Sequence, residues 1–85
     1  MVFRGAGKRY SYLESVEWLD ERLLKLKIAS VAEFATEVGM DRGTISRYFR
    51  QERRPSIDAI APLCKVLQVS PETLLIVLGA IDKKN

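Results

Sequence analysis

Apolar residues recur at helical spacing along most of the chain, and polar residues suited to helix capping separate the apolar stretches. The first stretch follows Ser11 and predicts a helix that extends to about Lys27. Its apolar stripe, spaced by four and three residues, is Tyr12, Val16, Leu19, Leu23 and Leu26. Ser11 and Glu14 have the spacing of a capping box, in which each side chain binds a backbone N–H group at the helix start.

Two short helices are predicted between Ser30 and Arg50. Ser30 and Glu33 repeat the capping-box spacing, and Gly39 can end the first of the two helices in a left-handed conformation. Asp41 is expected to cap the other helix. The expected inner side chains are Val31, Phe34, Ala35, Val38, Ile45, Tyr48 and Phe49. The residues left facing outward on the second of these helices are Arg42, Gly43, Ser46, Arg47 and Arg50.

A fourth helix is predicted from Ser56 to about Gln68. It follows a loop in which Pro55 disfavours helical backbone at the preceding residue. Pro62 lies beyond the first turn and is expected to kink or shorten the helix, because it lacks an N–H group. The expected buried residues are Ile57, Ile60, Leu63, Cys64 and Leu67.

A fifth helix is predicted after Ser70, which is suited to the N-cap, with Pro71 at the first helical position. Its segment ETLLIVLGAI is apolar nearly all round, which is more than one helix is expected to bury against so small a core. An exposed apolar patch of this kind marks an interface. The residues expected to form this interface are Leu74, Leu75, Val77, Leu78 and Ile81. Burial of the whole helix within one chain is the alternative.

Five helices and no segment with the two-residue period of a strand predict an all-α fold in one domain, since 85 residues are too few for two cores. The expected organisation is a basic arm at 1–10, a domain at 11–82 and a polar tail at 83–85. No apolar run approaches the roughly 18 residues of a membrane span, and the N-terminus lacks a secretory signal. We therefore expect a cytoplasmic protein without a membrane partner.

Catalytic and metal-binding residue sets are missing from the sequence. The chain has no histidine and one cysteine, Cys64, whose apolar neighbours indicate a small buried hydrophobe. The eleven acidic residues do not cluster as ligands or as an acid–base pair. We therefore expect no enzyme activity, no cofactor, no metal and no small-molecule ligand.

Positive charge is concentrated in two segments, although the net charge is only +3. Five arginines lie between residues 41 and 54, at Arg42, Arg47, Arg50, Arg53 and Arg54. The segment from Arg4 to Arg9 carries three basic residues and no acid. A charge run is often only a solvated face, but basic charge on one helix and the loop after it is typical of nucleic-acid binding. For residues 4–9, a solvated tail and an arm following a DNA groove both remain open.

The stretches SVAEFATEVGM, DRGTISRYF and ERRPSIDAIAPLCKVLQVSPETLL resemble the Xre-like family of helix-turn-helix proteins, which includes phage lambda repressor and Cro. Ala35 takes the place of the small residue, Gly39 that of the turn residue, and Ile45 and Tyr48 those of the core anchors. The resemblance covers residues 30–75 and implies a five-helix lambda-repressor-like domain, with its motif at 31–50 and double-stranded DNA as partner. An ordinary helical hairpin would explain the apolar stripe but not the arginines.

The same resemblance assigns residue roles. The implied base contacts are Arg42, Gly43, Thr44 and Arg47. The implied phosphate contacts are Ser30, Val31, Ser46, Arg50, Arg53, Arg54 and Ser56. Two positions depart from the family: Val31 stands where glutamine is frequent, and Gln51 stands where glycine usually ends the recognition helix. Gln51 must therefore adopt a costly conformation or let that helix end differently.

The sequence thus predicts a sequence-specific DNA-binding transcriptional regulator, a repressor that binds a palindromic operator as a homodimer. The alternative is an antitoxin or a protein-interaction module that uses the apolar final helix, with DNA binding secondary.

Overall fold

The computed structural model describes residues 8–83, and this part of the chain contains five α-helices and no strand. The helices are α1 (Tyr12–Lys25), α2 (Val31–Val38), α3 (Arg42–Phe49), α4 (Ile57–Leu67) and α5 (Pro71–Val77). The predicted all-α fold is confirmed. The ends of α1 and α5 come earlier than predicted, because Lys27 and Gly79 adopt left-handed conformations with φ of 62° and 75°.

Side-chain caps mark the start of four of the five helices, α1, α2, α3 and α5. The capping box at α1 is confirmed: the Ser11 hydroxyl accepts the Glu14 N–H, and the Glu14 carboxylate accepts the Ser11 N–H. At α2 only half of the predicted box forms. The Ser30 hydroxyl accepts the Glu33 N–H, but the Glu33 carboxylate accepts the N–H of Ala29 at 2.6 Å. The second predicted capping box is therefore wrong in one of its two bonds.

The Glu14 carboxylate gives the fold a dependence on pH. The N–H of Ser11 donates to it, and Lys83 lies beside it, so its pKa is lowered from the ordinary value of 4.5. A lowered folded-state pKa contributes stability that is present above the unfolded value and is lost as pH falls through the folded value.

We therefore expect Glu14→Gln to lower the melting temperature at pH 7 and to have a smaller effect near pH 3. Thermal unfolding of both proteins at the two pH values measures this. Glu17→Gln is the control for the loss of one carboxylate from α1. The Glu17 carboxylate has no hydrogen bond or ion pair in the described part of the chain, and it lies four residues from Glu21, so its replacement should not lower the melting temperature. A Glu14→Gln effect of equal size at both pH values would contradict the electrostatic explanation.

The core lies where α2 packs on α3 and α4, while α1 packs on α3 and α5. Its fully buried side chains are Phe34, Ile45, Phe49, Leu63, Leu67, Leu74 and Leu78. The predicted burial of Ile57 is wrong, because this side chain is 87% exposed. In α4 the buried residues Ala59 and Leu63 are four residues apart and therefore share one face of the helix. Ile57 precedes Ala59 by two residues and lies on a different face.

Three other predictions for α4 have different outcomes. Cys64 is buried as expected, and burial raises the pKa of its thiol. Pro62 does not shorten the helix, which continues to Leu67. Ile60, predicted to be buried, is only half-buried at the edge of the core.

Helix α5 lies largely inside the single chain. Leu74, Val77 and Leu78 are buried, with exposed fractions of 0%, 2% and 0%. The expectation that α5 carries too many apolar residues for one core is therefore wrong for these three. Leu75 remains half-buried and Ile81 exposed.

The two ends of the described chain pair with each other. The Lys83 N–H donates to the Lys8 carbonyl, and Arg9 forms an ion pair with Asp82 at 3.1 Å. The segment from Lys8 to Tyr10, predicted to belong to the arm, thus contacts the domain. Residues 1–7 of the predicted arm and residues 84–85 of the predicted tail lie outside the described residues.

Among residues 8–83, no single helix is long and apolar enough to cross a membrane. Ile57–Leu67 and Pro71–Val77, which meet at 98°, reach that length and hydropathy only as a bent pair.

Candidate nucleic-acid interface

The turn between α2 and α3 has the predicted geometry. Gly39 ends α2 with φ of 82°, and its N–H donates to the carbonyls of Ala35 and Thr36. Ala35 is 3% exposed, so the absence of a larger side chain lets the helices approach closely. This turn fixes the angle at which α3 leaves α2.

Helix α3 is anchored on one side and open on the other. Ile45, Tyr48 and Phe49 are all buried, whereas Arg42 and Arg47 are exposed. Because residues three and four apart share one helix face, the anchoring of three side chains determines which residues point outward.

The start of α3 is built around an aspartate cap. The Asp41 carboxylate accepts the Thr44 N–H at 3.2 Å. A Cβ atom at Gly43 would lie 2.9 Å from the same carboxylate. The glycine thus leaves room for the cap and contributes no side chain to the outward face.

Some arginines of this region have an intramolecular partner and others have none among residues 8–83. The guanidinium groups of Arg42, Arg47 and Arg53 have no hydrogen bond or ion pair with any residue of the described segment. Arg50 pairs with Glu52 at 3.3 Å, and both side chains are about half exposed. An exposed pair of this kind is worth little, so Arg50 can exchange Glu52 for another anion.

Arg54 has a different role from the predicted phosphate contact. Its guanidinium donates to the carbonyls of Leu78 at 2.6 Å and Gly79 at 3.2 Å. These carbonyls lie just beyond the C-terminal end of α5, where a cation is favoured by the helix dipole. Arg54 therefore joins the loop after α3 to the end of α5.

The four remaining residues predicted to contact phosphate, other than arginines, differ in their surroundings. Val31 packs its side chain against the core, which leaves only its backbone N–H to face a ligand. Ser30 uses its hydroxyl as the α2 cap, and Ser46 is half-buried. Ser56 precedes α4 in N-cap conformation, but its hydroxyl makes no capping bond.

Gln51 follows the end of α3 in a left-handed conformation. This is the first of the two alternatives stated for a residue other than glycine at this position. Its φ is 61°, and the bonds from its N–H to Tyr48 and from the Glu52 N–H to Arg47 form a Schellman motif. Its side-chain amide donates to the Tyr10 carbonyl at 2.8 Å and to the Ser15 hydroxyl at 2.9 Å. These bonds offset the backbone cost.

Ser15 completes this polar connection. It is fully buried, and its hydroxyl donates to the Val77 carbonyl at 2.5 Å while accepting from Gln51. The end of α3 is therefore tied to α1 and α5 at one point. Sequence reasoning missed Ser15, although a serine four residues before Leu19, in line with the apolar stripe, was a usable signal.

The contrast between Arg53 and Arg54 yields a direct test. Arg54→Ala should lower the free energy of unfolding by about 1–2 kcal/mol, because it removes two charged hydrogen bonds to carbonyls. Arg53→Ala should leave stability unchanged, since its guanidinium has no partner in residues 8–83. Urea unfolding of the two neighbouring variants makes the comparison. Equal stability of the two variants would overturn the role given to Arg54.

A short helix anchored on one face, turned by a glycine from the helix before it and bearing unpaired arginines outward, is the architecture of a helix-turn-helix DNA-binding domain. A family model for helix-turn-helix proteins of the Xre and lambda repressor type matches residues 21–74, more than half of the chain. The chain belongs to this family. Comparison with curated proteins and with solved structures gave no match.

Membership of the family makes the chain a DNA-binding helix-turn-helix regulator. Proteins of this family are generally not enzymes.

Proposed function

We propose that the protein is a sequence-specific regulator that reads double-stranded DNA through the outward face of α3. The observation that carries this is the pair Arg42 and Arg47, whose guanidinium groups are exposed and unpaired on a helix fixed by buried anchors. A major groove admits an α-helix, and an arginine can donate two hydrogen bonds to guanine O6 and N7. Thr44, half-buried one turn from the cap, would contact a neighbouring base, while Gly43 allows close approach.

Phosphate contacts would place α3 in the groove without reading sequence. Arg53 is free for this role, and Arg50 can take it by giving up its exposed pair with Glu52. Ser46 and Ser56 offer hydroxyls on either side of these arginines. The Val31 N–H and the Ser30 hydroxyl lie at the start of α2, where a phosphate would meet the positive end of the helix dipole. Arg54 is removed from this set.

A dimer on a palindromic operator is the second part of the proposal. Three of the five predicted contact residues are buried in one chain, so that Leu75 and Ile81 are the two left to contact a second copy. So small a contact favours a weak dimer that forms on DNA, where two copies of α3 would lie about one helical turn apart. Occupation of a promoter by this dimer would repress transcription. The proposed cytoplasmic location follows from DNA being the ligand.

Selection of bound sites from a random duplex library tests both parts. The expected result is a palindrome whose half-sites are centred about 10 base pairs apart, bound by two chains in sedimentation analysis. A single non-repeated site bound by one chain would contradict the proposed dimer but would still support sequence-specific DNA binding. Failure to enrich any sequence would contradict sequence-specific DNA binding.

The alternative of an antitoxin or an interaction module rested on an exposed apolar final helix. The burial of Leu74, Val77 and Leu78 takes away most of that support.

A further inference from the structure

A groove between α1 and α5 has no part in the proposed DNA contact. It is open to solvent and has a volume of about 550 Å³, and residues 10–21 and 73–83 provide its walls. No residue of α2, α3 or α4 borders it. Trp18 and Ile76, both half-buried, supply its apolar surface, and Glu17 and Glu21 stand along its α1 wall.

One end of the groove already holds a cation that belongs to the chain. The Lys83 ammonium lies 3.2 Å from the Glu14 carboxylate and 5.4 Å from the centre of the Tyr10 ring. The groove therefore binds an ammonium group by a carboxylate and an aromatic face together, which is the combination of an ion pair and a cation–π contact.

The same two kinds of group recur further along α1, where Arg22 and Lys25 lie beside Trp18 and Glu21 but form no ion pair with Glu17 or Glu21. Trp18 provides the aromatic ring, and Glu17 and Glu21 provide carboxylates that pair with no residue between 8 and 83. Two like charges four residues apart destabilise a helix. A cation placed between them would relieve this repulsion.

We propose that the α1–α5 groove binds a basic segment of a partner protein. A lysine or arginine of that segment would lie against Trp18 and between the carboxylates of Glu17 and Glu21, with an apolar neighbour against Ile76. The carboxylates repel phosphate, so nucleic acid does not fit the groove. Since the groove and α3 share no residue, the partner can bind while the protein occupies DNA.

The fluorescence of Trp18 provides the test, because Trp18 is the only tryptophan in the chain. The probe is a synthetic octapeptide of lysine, leucine and glycine, titrated into the full protein at low salt. The matched peptide has glutamine in place of lysine. We expect a saturable fluorescence change with the lysine peptide and none with the glutamine peptide.

Charge variants locate the binding. The double variant Glu17→Gln, Glu21→Gln should weaken peptide binding about fivefold, as expected for the loss of two exposed ion pairs. Asp20→Asn removes the same kind of charge from the same helix but outside the groove, and it should leave binding nearly unchanged. Both variants should fold, because all three side chains are exposed, and thermal unfolding verifies this.

Four results would overturn the proposal. They are the absence of a saturable change, equal binding of the glutamine peptide, equal weakening by Asp20→Asn, and a fluorescence change that depends on protein concentration alone, which would place a second copy in the groove. Repeating the titration on DNA-bound protein separates this inference from the proposed function. Loss of peptide binding on DNA-bound protein, beyond the amount of peptide that the same duplex binds without protein, would contradict the independence of the two surfaces, whatever the result of the DNA selection.

Discussion

Replacement of Gly79 by alanine is expected to lower the free energy of unfolding by about 3 kcal/mol, a large loss for one added methyl group. Gly79 has a φ of 75°, which L-residues with a Cβ rarely adopt. The new Cβ would collide with the amide nitrogen of Gln51 and lie 2.7 Å from the Tyr10 carbonyl oxygen. Gln51 would have to move, and its bonds to Tyr10 and Ser15 would break.

The matched control for this prediction is Gly39→Ala. Gly39 has a similar φ of 82°, but a Cβ there would have no atom within 4 Å. Its substitution should cost only the backbone strain, about 1 kcal/mol. Urea unfolding of both variants gives the comparison. Equal losses would mean that the contacts of Gln51 around Gly79 do not contribute to stability.

Replacement of Arg47 or Arg42 by alanine is expected to weaken binding to the selected operator by about 5-fold to 150-fold, equivalent to the 1–3 kcal/mol of a bidentate arginine–guanine contact. The physical reason is that a guanine would lose both donors at once. Each substitution should also relax the preference at one base pair. Stability should not change, since neither guanidinium has an intramolecular partner in the described chain.

Titration of the operator and of an unrelated duplex at fixed salt makes this measurement. Lys65→Ala, an exposed cation on α4, is the control for a general loss of positive charge. Equal weakening for both duplexes would mean that Arg42 and Arg47 contact phosphate and do not read bases. A loss no greater than that of Lys65→Ala would remove them from the interface.

The positions at which helices begin could be predicted from the sequence because their causes are local. Ser11, Ser30, Asp41 and Ser70 each lie three residues before the N–H that their side chain caps. The ends of helices were harder to predict. Lys27 adopts a left-handed conformation although it is not a glycine, and nothing in its immediate sequence indicates this.

The outward position of the arginines on α3 could be predicted from the apolar pattern. Burial of Ile45 and Tyr48 is enough to turn Arg47 outward, because all three lie on one short helix. The role of Arg54 did not follow, since its carbonyl partner Leu78 is 24 residues away in sequence. An arginine in a basic segment can bind a ligand or stabilise the fold. The sequence does not distinguish these roles, because it does not show which carbonyl groups lie near the side chain in the folded protein.

The network around Gln51 also depends on distant residues. Its backbone cost could be inferred from the sequence, but its compensation comes from Tyr10 and Ser15, which are 41 and 36 residues away. The extent to which α5 is buried could not be predicted from the sequence for a related reason. A count of apolar residues gives the surface to be buried, whereas the surface that α1 and α4 offer to α5 depends on how the helices pack.

In the proposed function, α3 reads base edges in the major groove. Methylation interference on the selected operator tests it most directly, because methylation of guanine N7 blocks the major groove and methylation of adenine N3 blocks the minor groove. We expect interference at guanine N7 positions in each half-site, and its loss at one guanine per half-site in Arg47→Ala. Interference at adenine N3 alone, or at no base, would contradict the account.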